Sequence, residues 1–150
     1  MEPVTIAGKL LFSYVTVDQP SIDFWRARVK ESAYAQQAQP DYIYVLFREL
    51  ATRRFGSTPD PAEIRNFVDS PKPLFENGVI PREDAALVIR FALGEDGLLD
   101  HLDYAELVAI EMRLCVYLYR EIGMSEADLK FLLVQVERAV AKDYPDLTAE

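Results

Sequence analysis

The sequence predicts an all-α fold, a single compact domain of about six helices around a buried central helix. Apolar residues recur at helical spacing along most of the chain. Capping residues or prolines precede these segments, and glycine or proline follows them. Half of the 150 residues are hydrophobic, which is enough for one ordinary core. No break in composition divides the chain into two domains.

The central helix is predicted over residues 103–122. Asp103 and Glu106 have the spacing of a capping box, and Gly123 stands where a C-terminal cap is expected. The segment is apolar on almost every side, which is typical of a helix buried by several neighbours. Its exception is a narrow polar stripe made by Glu106, Arg113 and Arg120, which are spaced seven residues apart.

The first part of the chain is predicted to form an arm and two helices. Residues 4–17 have the β-branched and aromatic bias of strands, so residues 1–20 are expected to be an extended or short β-like N-terminal arm. A first helix should begin near Ser21 and stop before Pro40. A second helix should open with Pro40 and end at Gly56.

Start and stop signals divide the rest of the chain. A third helix is expected between Asp60 and Ser70, and a long loop at 71–80. Helices on either side of the central one are expected from Pro81 to Gly94 and from Ser125 to Tyr144. The helical domain is thus predicted at 21–144, with a C-terminal tail at 145–150.

Charge and cysteine content narrow the classes of function. The formal charge is −9, and residues 59–150 carry nineteen acidic against nine basic side chains. Such a surface repels phosphate backbones, so no nucleic-acid partner is expected. Charged residues interrupt the central helix, so no membrane insertion is expected. The single cysteine, Cys115, predicts a reducing compartment, and we expect a cytoplasmic protein.

Glu111 is the most unusual residue of the central helix. On a helical wheel it lies among apolar side chains, and a buried carboxylate must be ion-paired, hydrogen-bonded or protonated. The sequence favours an ion pair with an arginine of a neighbouring helix. The alternative hypothesis is a small-molecule pocket, in which Glu111 is a polar anchor among Tyr104, Tyr117 and Tyr119.

A second set of candidates could bind a partner protein. On the predicted second helix, Tyr44 and Phe55 should share an outer face with Arg48. On the last helix, Phe131 lies opposite the apolar stripe, beside Arg138. Aromatic and arginine side chains are enriched at protein interfaces. Either these faces touch other helices of the same domain, which is the commoner case, or they bind another protein or a second copy of the chain, as a homodimer.

Residues with chemical potential are few. One histidine leaves little room for a nucleophile–histidine pair, and no glycine-rich phosphate loop is present. The segment 96–106 carries four carboxylates and that histidine, which makes a metal-dependent protein a third hypothesis; its residues are Asp96, Asp100, His101, Asp103 and Glu106. Helix capping already explains Asp103 and Glu106, so no metal and no cofactor are predicted.

These observations favour one class of function over two others. We expect a non-enzymatic protein–protein interaction module, of the adaptor, small-chaperone, regulatory or toxin-neutralising type. The alternatives are a small-molecule binder or enzyme with a pocket at Glu111, and a metal-dependent protein using residues 96–106.

Overall fold

A computed structural model describes residues 1–147 as an all-helical fold. Within that range there are eight helices, α1 Ile6–Val15, α2 Gln19–Val29, α3 Ala33–Phe55, α4 Pro61–Asp69, α5 Pro73–Glu76, α6 Arg82–Ala92, α7 Tyr104–Ile122 and α8 Glu126–Ala141. The predicted all-α class is therefore confirmed. No helix within residues 1–147 has both the length and the apolar character needed to span a membrane.

The helix at the centre is α3, not the predicted one at 103–122. α3 lies against α1, α2, α6, α7 and α8, whereas α7 contacts α1, α3 and α6. The side chains of Leu46, Phe47 and Leu50 in α3 have no exposed surface. The predicted capping box of α7 is present, and Gly123 closes the helix in the left-handed conformation. However, residues 104–106 of α7 are exposed, and the buried side chains of this helix begin at Ile110.

The predicted extended or β-like arm is wrong for residues 6–15, which form α1. Thr5 caps this helix, since its hydroxyl accepts a hydrogen bond from the Gly8 amide at 3.0 Å. Ala7, Leu11 and Val15 are fully or almost fully buried, and their spacing of four residues places them on one helical face. Burial of that face outweighs the strand preference of individual residues, because strand preference depends strongly on context.

Pro40 does not begin a helix; it lies inside α3. The predicted first helix instead ends at Val29, and Ser32 caps α3 by accepting from the Ala35 amide at 3.1 Å. A proline within a helix removes one hydrogen bond and usually breaks the helix. Here the helix continues because buried residues anchor it on both sides of the proline, among them Ala38 and Tyr42.

Glu137 of α8 fastens the beginning of α1 to the opposite end of the chain. Its carboxylate accepts from the Val4 amide at 2.9 Å, the Thr5 amide at 2.7 Å and the Thr5 hydroxyl at 2.5 Å. The side chain is only 7% exposed. A carboxylate at a helix N-terminus also meets the positive end of the helix dipole. We call Glu137 with Val4 and Thr5 the α1–α8 clip.

The clip explains why α1 contains a glycine, and Gly8→Ala tests that explanation. A Cβ at this position would lie 2.7 Å from Glu137 Oε2 and 3.0 Å from both Pro3 Cβ and Thr5 Oγ1. In an ordinary helix, glycine to alanine stabilises by about 1 kcal/mol. Because the clip holds the neighbouring atoms in place, we expect Gly8→Ala to lower the free energy of unfolding by about 1–2 kcal/mol instead. Urea unfolding measures the sign, and a stabilised variant would contradict the close approach.

Candidate functional site

The residues of the predicted small-molecule pocket do not come together in one cavity. Tyr104 is 65% exposed at the start of α7. Tyr117 lines a cleft towards α1, α2 and α5, but Tyr119 does not. Glu111 lines none of the five principal clefts among residues 1–147. The geometry therefore does not join these four side chains in a site.

Glu111 is buried, as its place on the wheel predicted, but no arginine pairs with it. It is 1% exposed, and its Oε2 atom has no hydrogen-bond partner within residues 1–147. No ion pair involving Glu111 is found in that part of the chain. Burial without a cation raises the pKa of this carboxyl group to about 8. The predicted ion pair is thus replaced by a carboxyl group that is mostly protonated at neutral pH.

The acidic segment 96–106 provides helix caps and one histidine contact. His101 Nε2 lies 2.9 Å from Asp84 Oδ1. Asp103 and Glu106 cap α7. Among residues 1–147, no group of three or more His, Cys, Asp or Glu side chains is arranged to hold a metal ion.

The aromatic side chains predicted for the outer face of the second helix are covered by the same chain. Phe55 is 9% exposed and packs edge-on against Phe67, with ring centroids 5.6 Å apart. Tyr44 is partly buried against Phe91, at 6.2 Å. Of the three residues predicted for this face, only Arg48 is exposed. The homodimer stays a prediction, without these two aromatic side chains to support it.

The predicted residues of the last helix do lie on the surface. Phe131 is 50% exposed and Arg138 is also exposed. Arg138 borders a cleft with Val4 and Val134, whereas Phe131 lines none of the principal clefts. These two residues remain candidates for a partner surface.

A cleft runs along α7, and we call it the α7 groove. Three segments line it, the corner between α1 and α2, the region of α5, and α7 itself; the residues are Tyr14, Val17, Gln19, Ile22, Pro73, Leu74, Asn77, Val79, Arg113, Val116, Tyr117 and Arg120. Its volume is about 380 Å³. This is within the usual range for ligand pockets, and most of the lining is apolar.

Two arginines give the α7 groove its charge. Arg113 and Arg120 belong to the polar stripe predicted from sequence, and seven residues separate them by roughly 10.5 Å along the helix axis. No acidic side chain lines the groove. Neither guanidinium has a carboxylate within 4.0 Å in residues 1–147. The groove is thus a small cationic area on a protein of net charge −9.

Two tyrosines complete the polar part of the groove. Arg120 lies over the ring of Tyr117, with 5.8 Å between the guanidinium carbon and the ring centroid. Partial burial raises the pKa of Tyr14, and the positive charges of Arg113 and Arg26 oppose that rise. The Tyr14 phenol is therefore a neutral hydrogen-bonding group at physiological pH. The groove can recognise anionic and apolar groups, but it contains no carboxylate, histidine or thiol to act as a general base or nucleophile.

The groove continues past the C-terminal half of α7. A second cleft of about 330 Å³ shares Pro73, Tyr117 and Arg120 with it. That cleft ends at Lys72, which is 7% exposed and donates to the carbonyl of Phe67 at 2.6 Å. Burial lowers the pKa of Lys72. Because its ammonium group already satisfies the end of α4 and lies 4.1 Å from the Phe67 ring centroid, Lys72 serves a structural role.

The sequence does not predict this groove. It predicts the polar stripe that contains Arg113 and Arg120, without a binding role, and it predicts Tyr117 for the pocket at Glu111 instead. Tyr14 and Val17 fall in the segment predicted to be an arm, so the sequence does not predict their contribution. Asn77 and Val79 fall in the predicted loop at 71–80, whose position the sequence does not define. The available signal was the spacing of Arg113 and Arg120, which places both on one side of an otherwise apolar helix.

Comparison with known proteins does not add a family. No family model, no curated protein and no solved structure matches this chain. The function must therefore be inferred from the α7 groove itself.

Proposed function

We propose that this protein is a non-enzymatic interaction module that binds an acidic, partly apolar peptide segment of another protein in the α7 groove. The observation that carries the proposal is the pair Arg113 and Arg120, which lie in an apolar groove with no carboxylate partner in residues 1–147. Charge complementarity then selects a ligand with acidic groups. Tyrosine and arginine are also the residue types that contribute most at protein interfaces.

The open shape of the groove favours a peptide over a small molecule. Val17 and Val79 are 53% and 49% exposed, and both arginines are exposed. A small-molecule pocket normally buries roughly 70–90% of the surface of its ligand, so its walls have to enclose the ligand. An extended peptide can cover such a groove and contact its edges at the same time. The adjoining cleft at Pro73 and Tyr117 lengthens the path for uncharged residues of the peptide, since Glu121 also lines it and disfavours acidic ones.

The spacing of the arginines suggests the pattern of the ligand. They are separated by roughly 10.5 Å along the helix, and a peptide in the polyproline II conformation advances about 3.1 Å per residue with three residues per turn, so every third side chain faces the same side. Acidic side chains about three residues apart would therefore match the two guanidinium groups. Apolar side chains between them would meet the floor formed by Ile22, Leu74 and Val116.

Other functional classes receive less support. No principal cleft among residues 1–147 reaches Glu111, so a pocket enzyme centred on it has no geometric basis. The proposed location is the cytoplasm, since Cys115 is a free and fully buried thiol. The proposed partner is a protein that carries an acidic segment of this kind.

Fluorescence anisotropy with three labelled peptides of about twelve residues tests the proposal. The first carries aspartate at every third position with leucine between. The second replaces aspartate by lysine, and the third replaces leucine by serine. We expect micromolar binding of the first peptide only, weakening as salt is raised because the contacts are charged and exposed. Equal binding of the lysine peptide would contradict recognition by charge.

Charge reversal in the groove should abolish this binding. In Arg113→Glu/Arg120→Glu, two attractive contacts of about 1 kcal/mol each are lost and repulsion replaces them. We expect affinity for the first peptide to fall by a factor on the order of 30 or more. The matched control is Arg53→Glu/Arg65→Glu, which changes net charge equally at exposed positions outside the groove and outside the other predicted partner surfaces. If both double variants lose affinity equally, binding is non-specific and the proposal fails.

A further inference from the structure

We infer that Val17 is a specificity residue of the α7 groove, held in a strained backbone conformation so that its side chain contacts an apolar group of the bound segment. The inference deepens the proposed function and rests on it. It names a second requirement of the ligand, namely an apolar side chain beside the anionic groups that Arg113 and Arg120 would bind.

The strain is located at the end of α1. Val17 has a φ of +56°, and within residues 1–147 it is the one residue other than glycine with a positive φ. The Val17 amide donates to the Tyr14 carbonyl at 3.1 Å, and the Asp18 amide donates to the Ser13 carbonyl at 2.9 Å. This pair of bonds is a Schellman motif, whose left-handed position is normally glycine. A β-branched side chain is among the least suited to that position.

Packing within the chain does not offset this strain. Val17 is 53% exposed, so its side chain contributes little to the core. Glycine occupies the corresponding position at the end of α7, where Gly123 has a φ of +74°. The same backbone requirement is thus met without strain elsewhere in the molecule. A strained residue that the fold itself does not need is most often found where a ligand is bound.

The position of Val17 connects the strain with the groove. Its side chain lines the α7 groove together with Val79, which lies on a different lining segment and is 49% exposed. Both valines are among the exposed large apolar residues of the part of the chain that the structure describes. The protein leaves both valine side chains about half exposed to water. An apolar group bound in the groove would cover them.

Three substitutions at one position separate strain from contact. Val17→Gly and Val17→Asn remove the apolar side chain and suit the left-handed conformation, the second without the added flexibility of glycine. Val17→Leu keeps an apolar side chain and removes the β-branch. Each is compared with wild type for thermal stability and for binding of the aspartate–leucine peptide by anisotropy.

We expect opposite effects on the two measurements. Val17→Gly and Val17→Asn should raise the melting temperature by about 2–4 °C as strain is relieved. The same variants should bind the peptide roughly 5- to 10-fold more weakly, which is the usual effect of losing a buried aliphatic contact. Val17→Leu should bind within about 2-fold of wild type.

The outcomes distinguish this inference from the proposed function. If the Gly and Asn variants bind as well as wild type while Arg113→Glu/Arg120→Glu does not, the groove binds the peptide but Val17 takes no part, and this inference is overturned. If wild type binds none of the three peptides, the proposed function falls and the role of Val17 falls with it. A melting temperature that drops in both variants would show that Val17 is needed by the fold.

Discussion

Glu111→Gln should make the protein more stable at alkaline pH while leaving its stability at pH 5 nearly unchanged. The carboxyl group is buried without a cation, which raises its pKa from 4.5 to about 8. The folded state therefore holds a proton that the unfolded state releases above pH 4.5. This contribution to stability is complete below pH 4.5, declines as pH rises towards 8, and is lost above that value.

The size of the effect follows from the shift in pKa. One pKa unit corresponds to about 1.4 kcal/mol, so Glu111 should lower wild-type stability by about 3–5 kcal/mol between pH 4.5 and 8.5. Glutamine keeps the shape and cannot ionise, so the variant should lack this decline. Urea unfolding at several pH values measures the contribution of Glu111 to the free energy of unfolding. Glu49→Gln, at an exposed position, is the control. A constant difference between wild type and Glu111→Gln at every pH would mean that Glu111 does not titrate with folding.

Glu137→Ala should be the most damaging truncation of a charged side chain in α8. It removes the acceptor of two amides and one hydroxyl at the start of α1, and all three donors lose their partner. Hydrogen bonds to charged groups contribute about 1.5–3 kcal/mol each but are not additive, so we expect a loss of about 3–4 kcal/mol. The melting temperature should fall by roughly 10 °C.

Hydrogen exchange can show where the damage in Glu137→Ala is located. The amides of Leu10 and Leu11 in α1 should exchange faster, while those of Leu132 and Leu133 in α8 should change less. Gln135→Ala, an exposed position on the same helix, is the control and should be nearly neutral. A loss below about 1 kcal/mol for Glu137→Ala would mean that the clip contributes little to stability.

Local signals were sufficient to predict several helices of this fold. The caps Asp60, Asp103 and Ser125 each begin a helix where the sequence placed it. These signals work because a capping side chain bonds to an amide two or three residues away, so the sequence around it contains both partners.

The sequence-based predictions that failed depend on distant partners. The start of α1 is bonded to Glu137, which is 132 residues away from Thr5 along the chain. The single helix across Pro40 depends on neighbours that bury both of its halves. The α7 groove combines three segments far apart in sequence. Glu111 was correctly placed in a dry environment, but its lack of a cation could be seen only from the surrounding helices.

The α1–α8 clip also sets an order for synthesis on the ribosome. Thr5 leaves the ribosome long before Glu137, and 132 residues require on the order of ten seconds at ordinary translation rates. Throughout that interval, the apolar face of α1 at Ala7, Leu11 and Val15 lacks the helix that fixes its start. α1 can pack against α2 and α3 as soon as they emerge, but its first turn must wait for α8, so the clip closes only after the intervening helices have been made.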